Sequence, residues 1–449
     1  MDDEKLQNGS SICFDGMDYL IHHQLGTGGQ GEVWLAESAG KCYAVKWYFP
    51  HTATQRQCLA LEKLVARGSP DSRFLWPISL GRRAGSPIFG YLMDFRQQRF
   101  REAADMMLGK FVPHRKPLAL ACAQVADCLF HLHTRGLCYG DVSYNNVAFD
   151  PETGEVRIFD NDNVRIDSWG CKNGEASNHG VADGTPGFMA PEIVRGLAKP
   201  NKETDKFSLA VLLFYMLLMH HPFEGKLLDE IPGWDPEKDL KIFGQPAPFI
   251  FHPTDDSNAL PEDGAGVELR WSLLPTFLRN RFIESFVKSV NDPGRRVVEL
   301  VWRDDLLKLH DCVLPCRHCA SENFFDRDLL RPGAPYPGAC WKCQKPIPTP
   351  MRLGLERGQH KRVVPLSAAT KLYPVHIADE EDWSFGPPQA EVTAHPANPA
   401  RQGLLNRSES SWLCTKPDGS MRDVKPGQVM AIENNSRVQF GRVTGIFRI

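Results

Sequence analysis

The feature that most restricts this chain is the octet Tyr139-Gly140-Asp141-Val142-Ser143-Tyr144-Asn145-Asn146, followed by Ile158-Phe159-Asp160-Asn161. A carboxylate beside an attacking hydroxyl can orient it and accept its proton. An amide five residues on, and a second carboxylate after a short strand, can both ligate Mg²⁺ (or Mn²⁺), which would neutralise charge developing on a transferred phosphoryl group. Taken singly, each of these residues is more often a turn or surface polar group. Their order is what points to Asp141 as a base and to Asn146 and Asp160 as cation ligands.

The segment upstream fits the same chemistry. Gly26-Thr27-Gly28-Gly29-Gln30-Gly31-Glu32-Val33 is a glycine turn between β-prone stretches. Such a turn can lie close to phosphate oxygens and offer them backbone N–H groups. It does not open a helix, as a dinucleotide-binding turn would, and no GxxxxGK[ST] loop is present. Lys46 follows 15 residues after Gly31, in the strand-like Ala44-Val45-Lys46. A cation there can reach phosphates if a carboxylate holds it, and Glu62 on the helix predicted for 54–67 is the expected partner.

These elements, in this order, resemble the Ser/Thr protein-kinase superfamily in its bacterial, eukaryotic-like form, over about residues 18–310. LGTGGQGEVW resembles the family's Gly-rich loop, AVK its strand lysine, and YGDVSYNN its H-R-D-L-K-x-x-N. FDND stands where the family has D-F-G, and Gly184 to Glu192 matches the stretch ending in A-P-E. Asp205-Lys206-Phe207-Ser208-Leu209 resembles the start of the central helix, and Asp292 to Arg296 the late D-P-x-x-R element, so that Arg296 would pair with Glu192. The resemblance implies Asp141 as catalytic base, Lys46 held by Glu62, and Asn146 and Asp160 as Mg²⁺ ligands. It implies an ATP pocket lined by Leu25, Gly26, Gly28, Gly31, Val33, Ala44 and Lys46, with Met93 behind the base and Asp94 and Arg96 in the adenine-contacting hinge. Thr185 is expected to position the acceptor beside Asp141.

Three departures stand out. Tyr139-Gly140 replaces His-Arg before the base, which argues against a switch in which that arginine pairs with a phosphorylated activation segment. Ser143 replaces a lysine that contacts the transferring phosphate. Asn161 stands where D-F-G would carry glycine, after a preceding Phe159. None removes the base or a cation ligand. An active protein kinase, with autophosphorylation within 160–187, a stretch that includes Ser168 and Ser177, is therefore the leading expectation. A nucleotide-binding pseudokinase scaffold is the alternative, and a small-molecule kinase of the same fold is a third.

Downstream, Cys316-x-x-Cys319 and Cys340-x-x-Cys343 are separated by 20 residues. Two CxxC turns can surround one tetrahedral Zn²⁺, and the segment resembles a zinc ribbon. An iron site would use the same ligands. His318, between the first two cysteines, is expected to be exposed. Such a closed four-thiolate site suits stability, with metal binding as part of the segment's folding energy. After a Pro-rich link, short strand-like stretches alternate with turns such as Pro417-Asp418-Gly419 and Lys425-Pro426-Gly427, a spacing that suits a β-sandwich. The last 45 residues weakly resemble the second half of a forkhead-associated domain, although that family's G-R…S-x-x-H pocket is not visible.

The expected architecture is an α+β bilobal kinase-like domain (15–312), a small four-cysteine zinc ribbon (313–346) and an all-β sandwich (352–449). A net charge of -3 offers no global attraction for nucleic acid or an anionic membrane. The most apolar run, Leu209 to Leu218, is ten residues, too short to span a bilayer and suited to a buried helix. The acidic start and scattered cysteines fit a cytoplasmic setting. Bacterial kinases with such tails resemble members of clusters that also encode a PP2C-type phosphatase and a von Willebrand A-type protein, which the resemblance implies as partners.

Overall fold

The computed structural model describes residues 6–82, 86–167, 184–229, 231, 239–331, 333–368, 370–379 and 386–449. Ser168, Ser177 and most of the segment expected to be autophosphorylated lie outside the described residues. The chain divides into two compact units, the first comprising Met1–Trp271 and Arg279–Leu306, the second Ser272–Leu278 and Leu307–Ile449. The ribbon and sandwich segments thus share one unit.

The first unit opens with β1 (Ser11–Phe14), β2 (Met17–Thr27), β3 (Gly31–Ser38) and β4 (Lys41–Tyr48), then α1 (Gln55–Arg67), β5 (Ser79–Arg82) and β6 (Phe89–Asp94). The strands form one antiparallel sheet in the order β1-β2-β3-β4-β6-β5. A domain start at residue 15 would cut the β1–β2 hairpin. Leu6, Ile12 and Phe14 are buried in the same core as Tyr19, Ile21, Val45 and Leu92, so the domain begins earlier than the motifs suggest. The β3–β4 connection is Ala39-Gly40, both at positive φ, as a two-residue hairpin turn requires. Thr54 caps α1 by accepting from the Gln57 N–H at 3.1 Å, and Gly68, at φ 70, follows its last residue. The helix buries Gln57, Cys58, Ala60, Leu61 and Leu64.

The rest of this unit is mainly helical, with short strands that carry the candidate catalytic loops. β7 (Arg101–Glu102) leads into α2 (Ala103–Met107), and α3 (Arg115–Thr134) is followed by Gly136 at φ 68. β8 (Leu137–Cys138), β9 (Val147–Phe149), β10 (Val156–Ile158) and β11 (Arg165–Ile166) follow, then α4 (Pro191–Val194) and α5 (Lys202–Leu218). β10-β9-β7 and β11-β8 are separate small antiparallel sheets. Asn201 and Thr204 close a reciprocal capping box at the start of α5. The apolar run 209–218 lies inside α5 and is mostly buried, which explains its composition. No helix among the described residues is long and apolar enough to cross a membrane.

In the second unit, β12 (Val313–Pro315) and β13 (Glu322–Phe324) pair beside the cysteine turns. Ten further strands follow: β14 (Met351–Arg357), β15 (His360–Leu366), β16 (Lys371–Leu372), β17 (Ala390–His395), β18 (Asn398–Asn406), β19 (Trp412–Thr415), β20 (Met421–Val424), β21 (Val429–Ala431), β22 (Arg437–Phe440) and β23 (Val443–Arg448). They make a six-stranded sheet, β15-β14-β23-β22-β19-β20, and a four-stranded one, β16-β17-β18-β21. Leu353, Trp412, Val438 and Phe447 of the first sheet and Leu372, Val392, Leu404 and Met430 of the second share one buried cluster. In β14, β15, β17, β19 and β22 alternate residues enter that cluster, the period expected of sheets packed on one face.

Candidate active site and four-thiolate cluster

Register fixes which residues of the first sheet share a face. Val33 stands opposite Lys46, Leu35 and Met93 opposite Ala44, and Tyr91 opposite Lys46. Directly opposed residues, and residues two apart, project to the same side. Val33, Ala44, Lys46 and Met93 therefore form one surface, with Gly26 paired to Val33 at its edge. Gly28 N–H closes the glycine turn on Gly31 C=O at 2.9 Å. A Cβ on Gly31 would collide with the Trp47 carbonyl, so this position needs glycine for close approach. Leu25, Gly26 and Gly28 are exposed.

The candidate catalytic loop is held by a buried charge network. Asp205 of α5 accepts from the backbone N–H of Tyr139 at 2.5 Å and of Gly140 at 2.9 Å. His133 of α3 lies between Asp205 (3.0 Å) and Glu299 (2.5 Å). Burial alone would lower the His133 pKa, but hydrogen bonds and charge from those two carboxylates push it up to about 9. The Tyr139 hydroxyl donates to the Phe159 carbonyl, joining this loop to the one bearing Asp160. Asn146 donates from Nδ2 to Asp141 Oδ2 at 3.0 Å and to its carbonyl at 2.9 Å. Thr185 donates to Asp141 Oδ1 at 2.6 Å, the position expected of a group beside an acceptor. A small pocket next to it is lined in part by Asp141, Val142, Met189 and Ile193. The pair expected between Arg296 and Glu192 is present and bidentate, both bonds 2.8 Å.

Lys46 departs from expectation. Its amine is buried and bonds Asp160, Asp162 Oδ2 at 2.8 Å and Gln30 Oε1 at 3.3 Å. Burial would lower its pKa, but the two carboxylates outweigh that and raise it. Glu62, expected to hold Lys46, instead accepts from Arg82 at 3.0 Å and is half exposed. The reason is helical phase. Gln57, Leu61 and Leu64 define the inward face of α1, and at about 100° per residue Glu62 lies some 140° round from Gln57. Counting D-F-G from Asp160 also places Asn161 at its second position and Asp162 at its third, correcting the alignment of Asn161 with glycine. Asn161 is buried and donates to the Leu75 and Ile158 carbonyls at 2.9 and 3.1 Å. Asp160 is at φ 59, a left-handed conformation, and starts a 3₁₀ turn over Asn161–Asn163.

Asp162, Tyr48 and Gln57 were not apparent from the motifs. Tyr48 shares a face with Lys46, two residues away, and Asp162 falls two residues after Asp160; both offsets were visible signals. At the expected hinge, Asp94 is exposed and paired to Lys41 at 3.3 Å. Arg96 bonds Glu102 at 2.6 Å and lies 4.9 Å over the Phe159 ring, so its side chain is engaged within the protein.

In the second unit, Cys316, Cys319, Cys340 and Cys343 bring their sulfurs within 4.8 Å of one another. Two of the separations are 3.7 Å (Cys316–Cys343) and 3.6 Å (Cys319–Cys340). A tetrahedron with Zn–S of about 2.3 Å has edges of about 3.8 Å, so the donor set fits zinc. The two turns are alike. Ala320 and Gln344, each just after the second cysteine of its pair, both sit at φ 59. Each returns its N–H to the carbonyl of the first cysteine at 2.9 Å. The exposed His318 donates its backbone N–H to Cys316 Sγ at 3.4 Å. Asn323 is buried and donates to Cys340 Sγ at 3.7 Å.

Comparison with known proteins finds similarity in the first unit. Residues 95–238 match the family model described as Protein kinase domain. Human protein kinase C delta type is 28% identical over 241 residues, 51% of this chain and 33% of that protein. Rhodopsin kinase GRK1 of Rattus norvegicus is 38% identical over 104 residues, 23% of this chain and 17% of that protein. The chain thus spans about a third or less of these relatives' lengths. Among solved structures, the kinase domain of Mycobacterium tuberculosis PknI (a C20A_R136A double mutant) aligns with a TM-score of 0.44 and 17% identity, covering 68% of this chain and 98% of that one. The similarity to protein kinase domains thus lies in residues 95–238.

Proposed function

We propose that this protein transfers the γ-phosphate of ATP to Ser or Thr hydroxyls of proteins. The observation that carries this reading is the arrangement of Asp141, whose two carboxylate oxygens accept from Thr185 and Asn146. An acceptor hydroxyl beside Thr185 would meet a carboxylate already oriented to take its proton. Asn146 and Asp160 would hold Mg²⁺, which would supply charge neutralisation at the phosphates. Lys46, with Val33, Ala44 and Met93 on the same sheet face, would bind the nucleotide beneath the glycine turn. The four thiolates would hold zinc as a structural site, and the paired sheets would form a forkhead-associated-like sandwich.

The test is label transfer from γ-labelled ATP with Mg²⁺, to the protein itself and to a generic basic protein, beside Asp141→Asn. The parent is expected to transfer label and the variant to lose about 10²–10⁴-fold while still binding ATP. ATP binding with no transfer by the parent would favour the scaffold alternative.

A further inference from the structure

We propose that Asp162, and not a carboxylate of α1, is the residue that positions Lys46 for nucleotide phosphates, with Tyr48 and Gln57 steadying Asp162. This rests on the phosphotransfer reading above.

Three observations carry it. Lys46 has two carboxylate partners of unlike exposure. The Asp162 side chain is fully buried, whereas that of Asp160 is 36% exposed. One amine and two carboxylates leave a net charge of −1, so a cation is favoured, and it can enter at the more exposed carboxylate. When Asp160 turns to a cation, Asp162 keeps Lys46 paired. Second, Asp162 is over-determined. Its Oδ2 also accepts from the Tyr48 hydroxyl, and its carbonyl accepts from Gln57 Nε2 at 3.2 Å. Gln57 Nε2 lies 3.3 Å from the Tyr48 oxygen as well. Third, α1 contributes a neutral amide to this group, while its nearest acid, Glu62, is engaged with Arg82.

The consequence is regulatory as well as geometric. One short turn, residues 160–163, carries both the cation ligand and the lysine's anchor. Displacing α1 would then cost an amide hydrogen bond rather than the ion pair that places Lys46.

The experiment uses the full chain. Transfer to a protein acceptor is measured over a range of Mg-ATP, and Mg-ATP binding is measured by calorimetry, for Asp162→Asn, Glu62→Gln, Lys46→Met and the Lys46→Met/Asp162→Asn double variant. Asp162→Asn is expected to raise the ATP KM and to lower kcat/KM about 100-fold, the scale of a small misplacement of a reacting group. The double variant should be no worse than Lys46→Met alone, and Glu62→Gln should stay within about twofold of the parent, as expected for a residue outside the group. Three outcomes would overturn the proposal: equal losses in Glu62→Gln and Asp162→Asn, additive losses in the double variant, or recovery of Asp162→Asn by excess Mg²⁺, which would make Asp162 a cation ligand. If Asp162→Asn does not fold, Gln57→Ala serves, with a loss of several-fold in kcat/KM expected and an unchanged value counting against the idea. If the parent binds Mg-ATP but transfers nothing, the phosphotransfer reading fails by itself. The anchor is then still read from binding, which Asp162→Asn should weaken and Glu62→Gln should not.

Discussion

The two candidate cation sites are built in opposite ways. The four-thiolate cluster comes from two copies of one local turn, each closed by a backbone bond within five residues and a left-handed residue after its second cysteine. The Lys46 site comes from groups far apart in the chain: Gln30, Lys46, Tyr48, Gln57, Asp160 and Asp162. A turn carries its geometry in its own sequence. A buried charge takes whichever partner tertiary packing brings near, because it must be neutralised wherever it ends up.

That contrast can be broken most directly at the thiolates. Purified protein is expected to hold one zinc per chain by elemental analysis, and Cys319→Ser to lose it. Structural zinc in small modules contributes about 10–16 kcal/mol of apparent binding energy, so the segment around 316–343 should become protease-sensitive without the metal. Retained protection in Cys319→Ser would show that packing, not metal, shapes these turns. An iron-type visible absorbance would instead change the metal and keep the geometry.

The next largest effect belongs to the buried pair of Arg296 and Glu192, whose side chains are 3% and 14% exposed. Glu192→Gln leaves the guanidinium without its charge partner and should cost about 3–5 kcal/mol in denaturant unfolding of the first unit. A loss below about 1 kcal/mol would mean that this charge is solvated in a way the burial does not suggest.

His133 tests whether the charge network also stabilises the fold. Its pKa is raised to about 9 in the folded protein, against about 6.5 unfolded. The stabilisation is therefore complete below about pH 6.5 and is lost as pH rises through about 9, a total of about 3 kcal/mol. The melting temperature should fall across that window, and His133→Gln should flatten the slope. An unchanged slope in that variant would assign it to other groups.

The smallest effect sharpens the local side of the comparison. Thr54→Ala removes the cap of α1 and should cost about 1 kcal/mol. If the ion pair that places Lys46 lies in the 160–163 turn, with α1 contributing only the Gln57 amide, ATP KM should change in this variant by no more than in Gln57→Ala.

The motif residues could be read because the resemblance puts particular groups in a particular order, and the structure brings Asp141 against Asn146 and Thr185, and Arg296 against Glu192. Glu62 was misread because a helix can be predicted from spacing more readily than its rotation, and one residue of phase decides which side chain faces the lysine. The start of the first domain was placed late because β1 has no motif and shows its role only through pairing with β2.

The sequence by itself determined the local devices: the glycine turn, the caps of α1 and α5, the two cysteine knuckles and the alternation of the later strands. Each depends on φ/ψ preference or periodicity within a few residues. Tertiary structure alone decided which acid holds Lys46, how Asp205 and His133 fix the candidate catalytic loop, and which of the later strands pair in each of the two sheets. These depend on burial, which removes water as a partner for charge and leaves each buried group to the neighbours that folding supplies.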